Sequence, residues 1–297
     1  MQFWVKILVA LGTLLAVLYL SACLFLFVRQ NRFIFFPSRE ISTIPSDLQM
    51  DYQEVWLPVI SEENQSASTT EKVHGWWIPA AAENRSPMKS EWVLLFLHGN
   101  ADNISENLKH SNRFHQLGFS VFMVDYRGYG LSQGKFPTES TVYEDVETAW
   151  NYLVNQRGIP PEKIVIYGHS LGGAIAIDLA SRKPNAAGAI IEASFTSMRD
   201  MVDYQYPHFN IFPIDWILTH RFDSISKVKD LKMPILFTHG TADETVPNSM
   251  SQELFDAANE PKKLFIVPTA DHNNIARVSG EKYFETIREF MKLVDYN

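Results

Sequence analysis

The chain has 297 residues, 46% hydrophobic and 20% charged, enough to bury a large core and too apolar for a disordered polymer. Its formal net charge of -8 and pI near 5.6 argue against a general nucleic-acid binder, which needs a basic face to neutralise phosphates. A single cysteine, Cys23, excludes an internal disulfide and any cysteine-based metal cluster.

From Phe3 to Val28 the only charge is Lys6, and the run matches the roughly 20 apolar residues that cross a bilayer. It predicts a transmembrane anchor within residues 1–30. The competing reading is a cleaved lipoprotein signal, because Leu20-Ser21-Ala22-Cys23 resembles a bacterial lipidation site. The apolar run continues through Leu24 to Val28, which favours an uncleaved helix. Both readings put the protein on a membrane. Arg29, Arg32 and Arg39 follow the helix and only Lys6 precedes it, a bias toward a cytoplasmic C-terminal domain. Asn-X-Ser sequons at Asn64, Asn84 and Asn103 would suit a lumenal domain, and the side stays open.

Residues 31–50, beginning "NRFIFFPSRE", read as a juxtamembrane connection whose Phe33, Phe35 and Phe36 belong either to the membrane interface or to the main core. "YQEVWLPV" and "KVHGWWIPA" then read as antiparallel strands joined by the polar "SEENQSASTTEK". "EWVLLFLHG" is continuously apolar, as in a strand buried on both faces. A helix from Asn103 to Gln116 leads to strand "SVFMVDY"; a helix from Thr141, with Glu144 completing a capping box, leads to strand "KIVIYG". "AGAIIEAS", "MPILFTHG" and "KKLFIVP" supply later strands, with helices at Ser249 to Ala258 and Glu281 to Val294. Strands alternating with helices imply a mostly parallel sheet covered on both faces. Only the segment between Phe195 and Pro234 breaks this rhythm. Its Tyr204, Tyr206, Phe209, Phe212, Trp216 and Phe222 suit a lid over an apolar pocket, placing a cap at about 196–230.

A polar Gly168-His169-Ser170-Leu171-Gly172 sits where a strand pattern changes to a helix pattern, and it fits G-x-S-x-G, the nucleophile elbow. In a parallel sheet ligands bind beyond the carboxyl ends of the strands, so the serine stands where chemistry would be placed. A serine hydroxyl needs a base, and the base an orienting carboxylate. Asp243 follows one later strand and His272 the last one, in the order Ser, Asp, His. Asp271 and Glu244 compete with Asp243, and His74, His98, His110, His115, His169, His208, His220 and His239 compete with His272. Only His272 combines the chain order with a loop after the last strand.

Taken together, "FFPS", "FLHGNADN", "VDYRGYGLSQG", "GHSLGGAIAI", "HGTADETVP" and "DHNN" resemble the α/β-hydrolase family, and within it the single-pass, membrane-anchored ABHD-type serine hydrolases. The resemblance runs from about Phe33 to the C-terminus and implies a hydrolase domain over 51–297. It implies Ser170 as nucleophile, Asp243 as acid and His272 as base, with an oxyanion hole from the backbone N–H groups of Leu171 and Asn100. Asp125, Arg127, Gly128 and Gly130 resemble the family's turn after a strand, a structural role as floor of the site or ion pair, and His98 shapes the oxyanion loop. That loop reads His-Gly-Asn where many lipases have His-Gly-Gly-Gly, a departure from close relation to them.

The chemistry expected is hydrolysis of ester or thioester bonds in acyl substrates, as lipid esters or acylated proteins, without cofactor or metal, since no close ligand group such as H-E-x-x-H occurs. A serine peptidase or amidase on the same fold is the alternative, and a non-catalytic binding protein of this fold a further one.

Overall fold

The computed structural model describes residues 1–59, 71–81 and 92–295; the polar connection after the first long strand, two of the three sequons and the region just before Trp92 lie outside them. Eight strands form one sheet: β1 (Gln53–Pro58), β2 (Lys72–Ile78), β3 (Val93–Leu97), β4 (Ser120–Val124), β5 (Ile164–His169), β6 (Gly188–Glu192), β7 (Ile235–Gly240) and β8 (Lys262–Val267). Their spatial order is β8-β7-β6-β5-β3-β4-β2-β1. β1 and β2 pair antiparallel, β2 meets β4 antiparallel, and all later neighbours are parallel. Every strand expected from the sequence is present.

Alternation along the buried strands sorts the core into two layers. Leu95, Leu97, Ile164, Ile166 and Ile191 pack beneath α3 (Glu139–Asn151) and α4 (Leu171–Arg182). Leu94, Phe96, Val165, Tyr167 and Ile190 pack against α2 (Leu108–Gln116) and α7 (Glu281–Asp295). Two apolar faces on one strand explain the unbroken hydrophobic run at β3. α5 (Met198–Gln205) starts the cap and α6 (Asn248–Ala257) lies between β7 and β8.

α1 (Gln2–Arg29) is long and apolar enough to cross a membrane by length and composition. Two helix starts differ from the sequence expectation. α2 begins at Leu108, because Asn103 to Asn107 form a turn in which Asn103 accepts from the Ser105 N–H at 2.8 Å. α3 begins at Glu139, with Thr138 as N-cap and Thr141 completing the capping box. Glu144 is drawn instead to Arg127.

Arg127 is nearly fully buried. Its Nε donates to Asp145 Oδ1 at 2.6 Å, its backbone N–H to Asp145 Oδ2 at 2.7 Å, and its Nη2 to the Thr141 carbonyl at 3.0 Å. Removing one member of a buried pair strands the other charge. Arg127→Met is therefore expected to lower unfolding free energy by about 3–5 kcal/mol in urea titration. The connection at 31–50 divides by residue: Phe35 is buried in the core, while Phe33 and Phe36 face a cavity beside the elbow.

Candidate active site

β5 runs directly into Ser170, whose φ of 55° and ψ of -121° lie where side chains are rarely tolerated. The surroundings impose that conformation. The Ser170 N–H donates to the Glu192 carbonyl at 2.9 Å, and the Ser170 carbonyl accepts from the Gly173 N–H and from Ser194 Oγ, each at 2.9 Å. The elbow's glycines allow this approach: a Cβ on Gly168 would overlap the Gly172 carbonyl, and one on Gly172 would overlap the Leu97 and His98 carbonyls. Because the obstacles are backbone, Gly172→Ala should lower stability by about 1–3 kcal/mol or more and displace the serine. Thermal unfolding together with ester turnover checks it.

Asp243 and His272 come from loops after β7 and β8 and meet at the same sheet edge. His272 Nδ1 lies 2.6 Å from Asp243 Oδ2, with the carboxylate fully buried and the imidazole slightly exposed. Asp243 Oδ1 accepts the Thr245 and Val246 N–H groups at 2.8 and 2.9 Å. Burial opposes ionisation of Asp243, but hydrogen bonds from His239 and His272 outweigh it and hold the carboxyl well below the usual carboxylate range. Of the competing acids, Asp271 is exposed and caps its own turn through the Asn273 N–H at 2.9 Å, and Glu244 is exposed.

His169, beside Ser170, brings the last loop to the elbow. Its Nε2 donates to the His272 carbonyl at 3.0 Å, and the two rings lie 4.9 Å apart. Burial, aided by the nearby His272 and His110, pushes His169 well below the ordinary histidine value, so it acts here as a neutral strut.

In the sequence His239 reads as a strand residue, and the fold brings it to the Asp243 carboxylate. Its Nε2 lies 3.0 Å from Asp243 Oδ2 and its Nδ1 2.7 Å from Ser251 Oγ, so two histidines share one carboxylate oxygen. The only sequence signal was its position at the end of β7, four residues before Asp243.

Asn100, Ser170 and Leu171 line one cavity, as an oxyanion hole at Asn100 and Leu171 requires. Leu171 opens α4, and N–H groups of a first helical turn have no partner within the helix. Asn100 is fixed by Tyr129 Oη, which donates to its carbonyl at 2.7 Å, and by its own Nδ2, which donates to the Ile34 carbonyl at 2.9 Å. His98 sits behind this loop with Nδ1 2.8 Å from the Gly99 carbonyl and Nε2 3.5 Å from Asp125 Oδ1. Burial pushes His98 down to about 4 and Asp125 up to about 8. Both support the loop from below.

The cavity holds about 370 Å³ and continues from Ser170 under the cap, along Phe195, Met198, Met201, Phe209 and Ile217. No described lining residue is charged. Tyr206 and Phe209, from the aromatic segment expected to form a cap, line this cavity, and Trp216 lies outside it.

Residues 88–227 match the family model described as serine aminopeptidase, S33. The chain is 32% identical to Protein bem46 of Schizosaccharomyces pombe, over 88% of this chain and 83% of that protein. It is 34% identical to human alpha/beta hydrolase domain-containing protein 17B, over 70% and 68% respectively. In fold it is similar to an esterase of Pyrococcus furiosus, with a TM-score of 0.68, 20% identity, and coverage of 87% of this chain and 97% of that one. With the parallel sheet and the serine at its elbow, these similarities place the chain in the α/β-hydrolase family of serine hydrolases, among its ABHD-type members.

Proposed function

We propose that the protein is a membrane-anchored serine hydrolase that cleaves carboxylic ester or thioester bonds of acyl substrates. The observation that carries this reading is the continuous, uncharged cavity beginning at Ser170 and roofed by the cap. His272 takes the proton of Ser170 Oγ as that oxygen bonds to the acyl carbon, and Asp243 holds and stabilises the imidazolium. The N–H groups of Leu171 and Asn100 receive the developing oxyanion. The bond to the leaving oxygen or sulfur then breaks, with His272 returning the proton to it. Water, deprotonated by His272, attacks the acyl-enzyme, releases the acid and restores Ser170.

Anchoring through an uncleaved α1 is supported by Tyr19, which a cut before Cys23 would remove: its hydroxyl donates to the Ile211 carbonyl in the cap at 2.9 Å. A cytoplasmic domain is supported by the arginine bias after α1. The sequon asparagine Asn103 is buried and its amide donates to the Ser38 and Glu40 carbonyls at 3.3 and 2.6 Å, so a glycan there is incompatible with this fold.

Peptidase activity is the second reading, favoured by the description of the matching family model. Against it, no carboxylate among the described lining residues is placed to pair with the free amine of a peptide. Turnover of p-nitrophenyl esters from acetate to palmitate, set against aminoacyl p-nitroanilides, tests the choice. Esters are expected to be cleaved at least tenfold faster; amide cleavage alone would overturn the reading.

A further inference from the structure

The pocket's walls are not all part of the hydrolase domain. Leu26 and Gln30, from the end of α1 and the residue after it, line the same cavity as Ser170. On the otherwise exposed helix, Ala22, Cys23 and Leu26 are half-buried and Gln30 is buried, a stripe at helical spacing that continues the line of Tyr19. The cap is bonded along this stripe at both ends. Tyr19 stacks on Phe212 at 5.6 Å, beyond its hydrogen bond to Ile211. At the other end, Gln30 Nε2 donates to the Ile217 carbonyl at 3.2 Å, and its Oε1 accepts the Thr219 N–H at 2.8 Å and hydroxyl at 3.0 Å.

The level of these contacts along the helix is informative. Tyr19 and Gln30 are separated by about 16 Å of helix axis, and Trp4 and Tyr19 by about 22 Å, at 1.5 Å per residue. The apolar run from Phe3 to Val28 is longer than the about 20 residues that an apolar core of about 30 Å needs, so Tyr19, nine residues before its end, lies at the level of the lipid tails or their boundary. The cap tip held at Tyr19 reaches that level too. It presents Ile211 and Trp216 outward, 70% and 87% exposed, side chains that water disfavours and a lipid interface accepts.

We infer that α1 is both anchor and substrate-selecting wall. A long acyl chain resident in the bilayer passes between α1 and the cap, lies against Leu26, and presents its ester carbonyl to Ser170. Leu26 is thus a specificity-determining residue for chain length, and the substrates are bilayer-dissolved acyl esters rather than soluble ones. The inference rests on the acyl hydrolase reading.

The test uses full-length protein in phosphatidylcholine vesicles, with p-nitrophenyl acetate in the water and p-nitrophenyl palmitate in the bilayer. Wild type that cleaves neither and resists fluorophosphonate labelling would refute the hydrolase reading itself. With wild type active, Leu26→Trp, which narrows the passage, is expected to lower the palmitate-to-acetate ratio of kcat/KM at least tenfold. Leu24→Trp, on the exposed side of α1, should leave the ratio as in wild type. A ratio within twofold of wild type in Leu26→Trp overturns the inference. If Leu26→Trp fails to fold, Ile211→Asp/Trp216→Asp decides: both side chains are exposed, and the charges should lower the ratio at least tenfold by lifting the cap from the lipid. A ratio within twofold there also overturns it.

Discussion

Ser170→Ala is expected to lower kcat on a p-nitrophenyl ester by about 10⁶ and to abolish fluorophosphonate labelling, leaving the fold intact. Without the hydroxyl no acyl-enzyme forms, and the residual rate comes from the oxyanion donors and binding alone. The loss corresponds to about 8 kcal/mol of barrier, at 1.36 kcal/mol per tenfold. The same position carries a stability prediction of opposite sign. With φ at 55°, a serine is strained by about 1–3 kcal/mol, whereas glycine adopts this conformation freely. Glycine also makes the unfolded chain more flexible, offsetting about 0.4–1 kcal/mol of the relief. Ser170→Gly should therefore be as inactive as Ser170→Ala and melt higher, by about 1 kcal/mol net. An equal or lower melting point would mean that the elbow does not hold its serine against a conformational preference.

Asp243→Asn should lower kcat by about 10⁴ with the overall geometry retained. The carboxylate accepts from two backbone N–H groups through Oδ1 and faces His272 and His239 through Oδ2. An amide nitrogen at the Oδ2 position would donate where an acceptor is needed. His272 would turn to the other tautomer and lose its capacity to take the Ser170 proton. If the amide is placed the other way, its nitrogen meets the Thr245 and Val246 N–H groups, so stability should fall too. Steady-state turnover and thermal unfolding of the same variant separate the two effects. The wild-type carboxyl titrates below its unfolded value of 3.8, so its contribution to stability is intact above that pH. It is lost progressively as the pH falls from 3.8 to the lower folded value, and acid inactivation above that window has another origin.

His239 distinguishes this site from a bare Ser-Asp-His arrangement. It joins Asp243 to Ser251 on α6, so the acid is tied to a helix as well as to its own loop. A buried carboxylate is costly unless its lone pairs are satisfied, and four donors from the protein meet that requirement. Asp271, one residue from His272, had the right chemistry and the wrong environment, being solvated and already occupied by its turn.

The sequence by itself determined the eight strands, the elbow and the order of serine, aspartate and histidine. Each rests on a local property: β-branched runs bounded by turn residues, glycines where backbones touch, and a nucleophile at a change of periodicity. The start of α3 was local too, but the expected cap at Thr141 gives way to Thr138, because Thr141 is the third residue of the box and returns its hydroxyl to the Thr138 N–H while Glu144 bonds Arg127. Only the tertiary structure decided what depends on which loops meet. The sharing of Asp243 between His239 and His272 needs the ends of β7 and β8 side by side, a pairing that neither segment encodes alone. The role of α1 was equally hidden. A helix apolar on every side carries no stripe to announce which face meets protein, and only the docked cap picks out Tyr19, Leu26 and Gln30 from their lipid-like neighbours.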